Sequence, residues 1–192
     1  MSKITDKTPK KQTIICKTPK KYIKEAAICS LLAALMCVSG MISIPLFIPA
    51  TLQTLVLFFG LFYIGGRLTS LSVLLYILIG ALGVPVFSGF SGGASRLFDQ
   101  TGGFIFGLLL SSLLYWLLEF ILPRLPSAKL ISGIVSHILL YLVGALWFAL
   151  GYLGGSEHIP FALLTSVLPF LIPDAIKFVA AYIIAKRIPK LT

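Results

Sequence analysis

Long uncharged stretches, interrupted by prolines and short charged turns, dominate this chain. No charged residue occurs from Ala26 to Gly66. That run is too long for one membrane crossing, since a spanning helix needs about 20 apolar residues. Pro45 and Pro49 divide it, because proline lacks a backbone donor and restricts the preceding residue. The pattern predicts an all-α fold, an integral membrane bundle of six transmembrane helices at about 24–44, 49–64, 69–84, 102–122, 130–153 and 161–184.

The composition narrows the class of protein. Of 192 residues, 58% are hydrophobic and 11% are charged, and the mean hydropathy is +1.02. Soluble domains carry about 25% charged residues. These values exclude a water-soluble globule, a disordered chain and a nucleic-acid-binding domain, despite the net charge of +10. We therefore expect a lysine-rich tail, residues 1–23, followed by one membrane domain, residues 24–188.

The positive charges indicate which side of the membrane each end occupies. Residues 1–25 hold eight lysines and two acidic residues. Six crossings would bring the other basic clusters to the same face as this tail. Those clusters are Arg67, Arg124 with Lys129, and Lys186, Arg187 and Lys190. Because basic loops stay cytoplasmic, we expect both termini to be cytoplasmic. The lysine-rich tail lacks the features of a cleaved signal peptide.

The sixth predicted span carries the strongest chemical signal, 169-PFLIPDAIKF-178. Pro173 is expected to start a new helical segment, with Asp174 in its first turn near the positive end of the helix dipole. Asp174 and Lys177 share one helix face. A charge inside a span costs about 3 kcal/mol on insertion scales. We interpret the two as a polar floor to a ligand cavity, where Asp174 accepts hydrogen bonds from N–H donors and Lys177 contacts an anionic or carbonyl oxygen. A self-compensating ion pair is the alternative.

Other polar and aromatic side chains are candidates for the same cavity. Gln53 opens the second span, and Tyr76 and Tyr141 each present a ring face and a hydroxyl. Trp147 is placed to stack on a flat ligand, although an aromatic residue there is more often in the core or facing lipid. We expect His137 to be a packing residue.

The loop 88-SGFSGGASRLFDQTGGF-104 is the least lipid-like part of the membrane domain. Its five glycines permit close backbone approach, and irregular backbone near a bilayer is tolerated where it is buried or lines a cavity. We interpret it as a lid, with a flexible connector as the alternative. Arg96 and Asp99 are expected to pair with each other.

No set of catalytic residues is evident. The sequence has no Ser/His/Asp or Cys/His arrangement, no zinc-ligand spacing and no phosphate loop. The three cysteines are interpreted as packing residues, so no metal site and no catalytic residue are expected. Two rival hypotheses are a membrane-embedded enzyme that uses Asp174 with His137 as acid and base, and a purely structural protein.

The first span carries a face of small residues. Ala26, Ser30 and Ala34 recur every four residues, a spacing that lets helices approach closely in lipid. Internal packing and docking of a membrane partner both explain it.

Several motifs together resemble a known family. They are 49-PATLQTLV-56, 72-SVLLYILIGALGVPVFSGFSGG-93, 101-TGGFIFG-107, 141-YLVGALWFAL-150 and 168-LPFLIPDAIKF-178. In this order they resemble BioY, the biotin-specific substrate-binding (S) component of energy-coupling factor (ECF) transporters. The resemblance implies a six-helix protein of the bacterial cell membrane that captures biotin from outside, needs no cofactor, and associates with a transmembrane coupling subunit and two ATPases.

The resemblance also implies roles for individual residues. It assigns biotin binding to Gln53, Tyr76, Ser91, Gly92, Gly93, Tyr141, Asp174 and Lys177. It favours docking of the coupling subunit at Ala26, Ser30 and Ala34. A transporter of the same architecture for another vitamin or small heterocycle is the nearest alternative.

Overall fold

A computed structural model describes residues 18–44, 50–122 and 127–189 of this chain. Its α-helices are α1 (Thr18–Met41), α2 (Gln53–Tyr63), α3 (Gly66–Ala81), α4 (Gly102–Ile121), α5 (Ala128–Leu146), α6 (Ile159–Ser166) and α7 (Leu168–Arg187). Two-residue strands β1 (Ser43–Ile44) and β2 (Ala50–Thr51) pair antiparallel before α2. Short 3₁₀ turns cover Ala94–Phe98 and Ser156–His158, and a π-helical turn, Trp147–Tyr152, continues α5.

The predicted bundle of membrane helices is confirmed, but the predicted number of six helices is only approximate. Four segments have the length and apolarity to cross a membrane, whereas α2 and α3 are shorter. The sixth predicted segment is divided between α6 and α7. Most of the lysine-rich tail, the predicted start of the second span at residue 49, and Arg124 and Lys190 lie outside the described residues.

The distribution of polar and apolar side chains is that of a multi-pass membrane protein. Large apolar side chains are exposed along the helices, including Leu117, Phe120, Ile134, Ile138, Ile172 and Ile176. Small polar side chains are buried between helices, including Ser111, Ser112, Ser132 and Ser136. Extended exposed apolar surface is unusual for a soluble monomer, and small residues allow helices to pack closely within lipid.

Helix α2 forms the centre of the core and positions the cavity described below. Leu57, Phe58 and Leu61 are fully buried, and α2 packs mainly against α7. Because α2 begins only at Gln53, four residues after the predicted start, a buried amide side chain opens the helix.

Basic side chains gather at one end of the bundle, which we call the basic end. There the Arg67 guanidinium lies 3.9 Å from the Glu25 carboxylate, and the Lys129 ammonium donates to the Phe62 carbonyl at 3.1 Å. These contacts join the ends of helices that begin or finish at that side. The opposite end, the loop end, carries the connection of residues 82–101.

The break in the last predicted span lies earlier than the sequence suggested. Helix α6 ends before Val167, and α7 starts at Leu168 with Pro169 in its first two positions. Pro173 lies inside α7, so the prediction that it starts the helix was wrong. Pro173 is the sixth residue of α7. Because proline has no N–H, the backbone hydrogen bond from this position to the carbonyl four residues earlier is missing. Asp174 therefore lies in the second turn, away from the helix N-terminus.

Candidate ligand-binding cavity

A cavity opens near the loop end between α2, α3, α4, α5 and α7. It contains about 680 Å³ of atom-free space, part of which is open to solvent. One set of lining side chains is apolar: Phe104, Ile105, Leu108, Leu140 and Phe170. The other set is polar: Thr51, Gln53, Thr54, Tyr76, Ser88, Thr101, Tyr141, Asp174 and Lys177. A mostly apolar wall with a few fixed polar groups is typical of a small-molecule site.

The Asp174 carboxylate is the most buried charge in this wall, with 4% of the residue exposed. Its Oδ2 accepts a hydrogen bond from the Tyr141 hydroxyl at 2.9 Å. Its Oδ1 accepts from the Thr54 hydroxyl at 3.1 Å and from the Lys177 ammonium at 2.7 Å. A carboxylate offers about four lone-pair sites. With the donors present in the described part of the chain, one position on Oδ2 thus stays open to a further donor.

Lys177 has no such spare capacity. Besides Asp174, its ammonium donates to the Thr51 carbonyl at 2.8 Å and contacts the Thr54 hydroxyl oxygen at 3.4 Å. These three acceptors match the three N–H donors of an ammonium group. Asp174 and Lys177 form a self-compensating ion pair, which was the alternative interpretation. Both side chains also line the cavity, as the interpretation of a polar floor requires.

Gln53 and Tyr76 form a second polar contact in the wall. The Gln53 amide accepts from the Thr51 hydroxyl at 3.1 Å and donates to the Tyr76 hydroxyl oxygen. Within the described residues the Tyr76 hydroxyl proton has no acceptor. Gly40 on α1 makes room for this arrangement, since a Cβ there would lie 2.8 Å from Gln53 Nε2.

The structure brings five of the predicted biotin-binding residues together at the cavity: Gln53, Tyr76, Tyr141, Asp174 and Lys177. It does not place Ser91, Gly92 or Gly93 in the wall. The Ser91 hydroxyl instead donates to the Ser88 carbonyl at 2.8 Å, and the Gly93 N–H donates to the Gly80 carbonyl at 2.8 Å.

Gly92 and Gly93 have conformational roles in the loop. A Cβ at Gly92 would collide with the Val84 carbonyl, and Gly93 adopts a φ of +101°, which favours glycine. These residues shape the fold of the loop.

Sequence reasoning missed four polar residues of the wall: Thr51, Thr54, Ser88 and Thr101. Thr54 directly follows Gln53 in a motif that was already singled out. Ser88 and Thr101 lie near the two ends of the glycine-rich loop. The Ser88 hydroxyl is buried without a hydrogen-bond partner in the described part of the chain, so it is available to a ligand.

Trp147 holds the loop in place and does not line the cavity. Its indole N–H donates to the Asp99 carbonyl at 3.1 Å. Gly103 allows the close approach, because a Cβ at that position would overlap the Trp147 side chain. The predicted pairing of Arg96 with Asp99 is confirmed at 2.8 Å.

His137 packs among aromatic rings. Its ring centroid lies 4.5 Å from that of Tyr141 and 4.9 Å from that of Phe58. Its Nδ1 is buried and has no hydrogen-bond partner among the described residues. This environment agrees with the predicted packing role. No group of residues with metal-binding geometry occurs within the described ranges.

Comparison with known proteins gives consistent matches over most of the chain. The BioY family model matches residues 8–192. The chain is 36% identical to the biotin transporter BioY of Thermotoga maritima, over 82% of this chain and 91% of the relative. It is 32% identical to the probable biotin transporter BioY of Pyrococcus horikoshii, over 86% and 96%.

The fold is also similar to a solved structure. The S-component for biotin from an ECF-type ABC transporter superposes with a TM-score of 0.77 at 22% identity, covering 88% of this chain and 93% of that protein. The family match and the two relatives together show that this chain belongs to the BioY family.

Proposed function

We propose that this chain is the biotin-binding substrate-specificity component of a membrane uptake transporter. One observation carries the proposal. A buried carboxylate, Asp174, keeps one acceptor position open in a cavity that also offers free hydroxyl groups and an apolar wall. The names of the relatives, which are biotin transporters, support the same ligand.

The chemistry of biotin fits these groups. Its ureido ring has two N–H donors and one carbonyl, its thiophane ring and chain are apolar, and its chain ends in a carboxylate. Asp174 Oδ2 takes one ureido N–H. The hydroxyls of Tyr76, Ser88 and Thr101 supply donors for ligand oxygens, and the apolar wall contacts the ring and chain. Lys177 acts by holding the Asp174 carboxylate in a fixed position.

The orientation follows from the basic end. Because basic residues stay on the cytoplasmic side, that end and both termini face the cytoplasm of a bacterial cell, and the cavity faces outward. Biotin enters from outside, and the loop of residues 88–103 closes over it. The bundle then reorients in the membrane and releases biotin inside.

Energy for this cycle comes from partner subunits. The sequence holds no nucleotide-binding motif, and a conformational change requires a differential interaction with its two states. An ECF coupling subunit with two ATPases supplies that interaction. Ala26, Ser30 and Ala34 are the docking face, since all three are exposed on α1 whereas the neighbouring Ala33 is buried.

Equilibrium binding of labelled biotin to the purified chain tests the proposal, with thiamine and riboflavin as competitors. We expect biotin alone to displace the label, and mass spectrometry of the purified protein to detect bound biotin. Displacement by another vitamin would favour that vitamin as the substrate. No binding of biotin would overturn the proposal.

The membrane-enzyme hypothesis receives no support, because the family is one of transporters.

A further inference from the structure

A second groove lies at the basic end, between the end of α2, the start of α5 and the end of α7. It contains about 620 Å³ of atom-free space, part of it open to solvent. Its lining residues are Phe62, Tyr63, Lys129, Tyr182, Ala185, Lys186 and Ile188. The groove is separate from the candidate biotin cavity, with which it shares no lining residue.

Contacts between distant chain segments shape this groove. The Lys129 ammonium donates to the Phe62 carbonyl at 3.1 Å, in the last turn of α2. There a cation also complements the negative end of the helix dipole. The Tyr63 hydroxyl donates to the Pro189 carbonyl at 2.8 Å. The Phe62 ring meets the Tyr182 ring edge-on at 5.5 Å.

Within the described ranges, the groove carries positive charge and no carboxylate side chain lines it. Lys129 and Lys186 line it, and none of the five acidic residues in the described ranges does. Glu25 pairs with Lys21 and Arg67, and Glu119 accepts from the Gly66 N–H. Among the described residues, only the Phe62 carbonyl accepts a hydrogen bond from the Lys129 ammonium, which leaves two donors for an anion.

The helices beside the groove present apolar surface. Ile131 and Ile134 on α5 and Ile183 and Ile184 on α7 are exposed. A ligand with an anionic head and an apolar tail matches both features. Basic pockets between membrane helices bind anionic lipid head groups in this way.

We propose that this groove binds the head group of an anionic phospholipid, with its phosphate between Lys129 and Lys186 and its acyl chains along α5 and α7. The bound lipid links the basic end to one leaflet. This site does not depend on biotin being the transported ligand.

Native mass spectrometry of the full chain, titrated with phosphatidylglycerol or phosphatidylcholine, tests the proposal. We expect preferential binding of phosphatidylglycerol. The double variant Lys129→Gln/Lys186→Gln should weaken that binding by at least about tenfold, since each lysine near a lipid surface contributes severalfold. The matched control, Lys21→Gln/Arg67→Gln, removes the same charge at the same end but outside the groove, and should retain the preference.

Three results would overturn the proposal. They are equal binding of the two lipids by the unmodified chain, equal loss in groove and control variants, and displacement of the lipid by glycerol 3-phosphate at matched concentration. Gel filtration and thermal unfolding of each variant verify folding without reference to biotin.

Discussion

Two ion pairs of this protein share the same spacing and nearly the same length but differ in burial. Asp174 and Lys177 on α7 meet at 2.7 Å, with side chains 5% and 14% exposed. Asp99 and Arg96 in the glycine-rich loop meet at 2.8 Å, with side chains 33% and 48% exposed. The partners of each pair are three positions apart, so the spacing alone does not distinguish the two pairs.

The difference in burial gives the two pairs different consequences. Water solvates both partners of an exposed pair, which contributes about 0–1 kcal/mol. A buried pair contributes little compared with apolar packing, but removing one partner costs about 3–5 kcal/mol because the other charge stays buried and uncompensated. We therefore expect changes to the pair on α7 to affect both stability and the proposed biotin site, and changes to the loop pair to have small effects.

The largest effect is expected for Asp174→Asn. This variant leaves the Lys177 ammonium buried without its counter-charge, at a cost of about 3–5 kcal/mol in unfolding free energy. It also replaces a charged acceptor, and hydrogen bonds to charged groups contribute about 1.5–3 kcal/mol. We expect biotin affinity to fall at least about tenfold. Thermal unfolding and equilibrium binding measure the two effects.

The matched control is Asp99→Asn, which removes the carboxylate of the exposed pair. It should change stability by at most about 1 kcal/mol and leave equilibrium affinity nearly unchanged. Biotin binding by Asp174→Asn at the level of the unmodified chain would contradict the assigned role of Asp174.

A smaller net loss of stability is expected when both partners of the buried pair are replaced. Asp174→Asn/Lys177→Met removes the uncompensated charge, so the protein should recover most of the stability lost in Asp174→Asn. Biotin affinity should stay low, because the acceptor is still missing. Thermal unfolding of the two single variants and the double variant completes the cycle. Strictly additive losses would show that the two residues do not act as a pair.

The sequence predicted the elements of the cavity better than their contacts. Uncharged runs and prolines located the helices, and the three-residue spacing placed Asp174 beside Lys177. Thr54 and Tyr141 reach Asp174 from 120 and 33 residues away. The packing of α2 against α7 and the reach of the Tyr141 side chain from α5 create those contacts, and local periodicity contains no information about either.

The loop shows a second limit of sequence reasoning. Its glycines predicted a tight backbone near the ligand, but Gly92 accommodates the Val84 carbonyl instead. Which polar residues of such a loop face inward depends on its φ values, including a φ of +55° at Phe90. In this loop Ser88 lines the cavity and Ser91 does not.

An effect of about 1 kcal/mol is expected for Trp147→Phe. The variant keeps an aromatic ring beside Gly103 but removes the N–H that donates to the Asp99 carbonyl, and a neutral hydrogen bond contributes about 0.5–1.5 kcal/mol. The loop should open more often, so biotin should dissociate about fivefold faster. Chase of labelled biotin measures this rate. The control is Trp116→Phe, on α4 at the basic end. Equal rates of biotin dissociation from the two variants would contradict the role of Trp147.

The smallest effect is expected for Arg96→Gln, and its dependence on salt separates the two ion pairs. The exposed pair contributes at most about 1 kcal/mol, so biotin dissociation should accelerate less than about fivefold. The Debye length, over which salt screens charges, shortens from about 10 Å at 0.1 M salt to about 3 Å at 1 M. The difference between Arg96→Gln and the unmodified chain should therefore vanish at high salt. The loss of affinity in Asp174→Asn should persist, because that carboxylate is buried and acts over hydrogen-bond distances, where salt screens charges much less. Dissociation and equilibrium binding at both salt concentrations test this contrast. If high salt abolished both differences, Asp174 would be accessible to ions, and the buried pair would not be the fixed wall of the cavity.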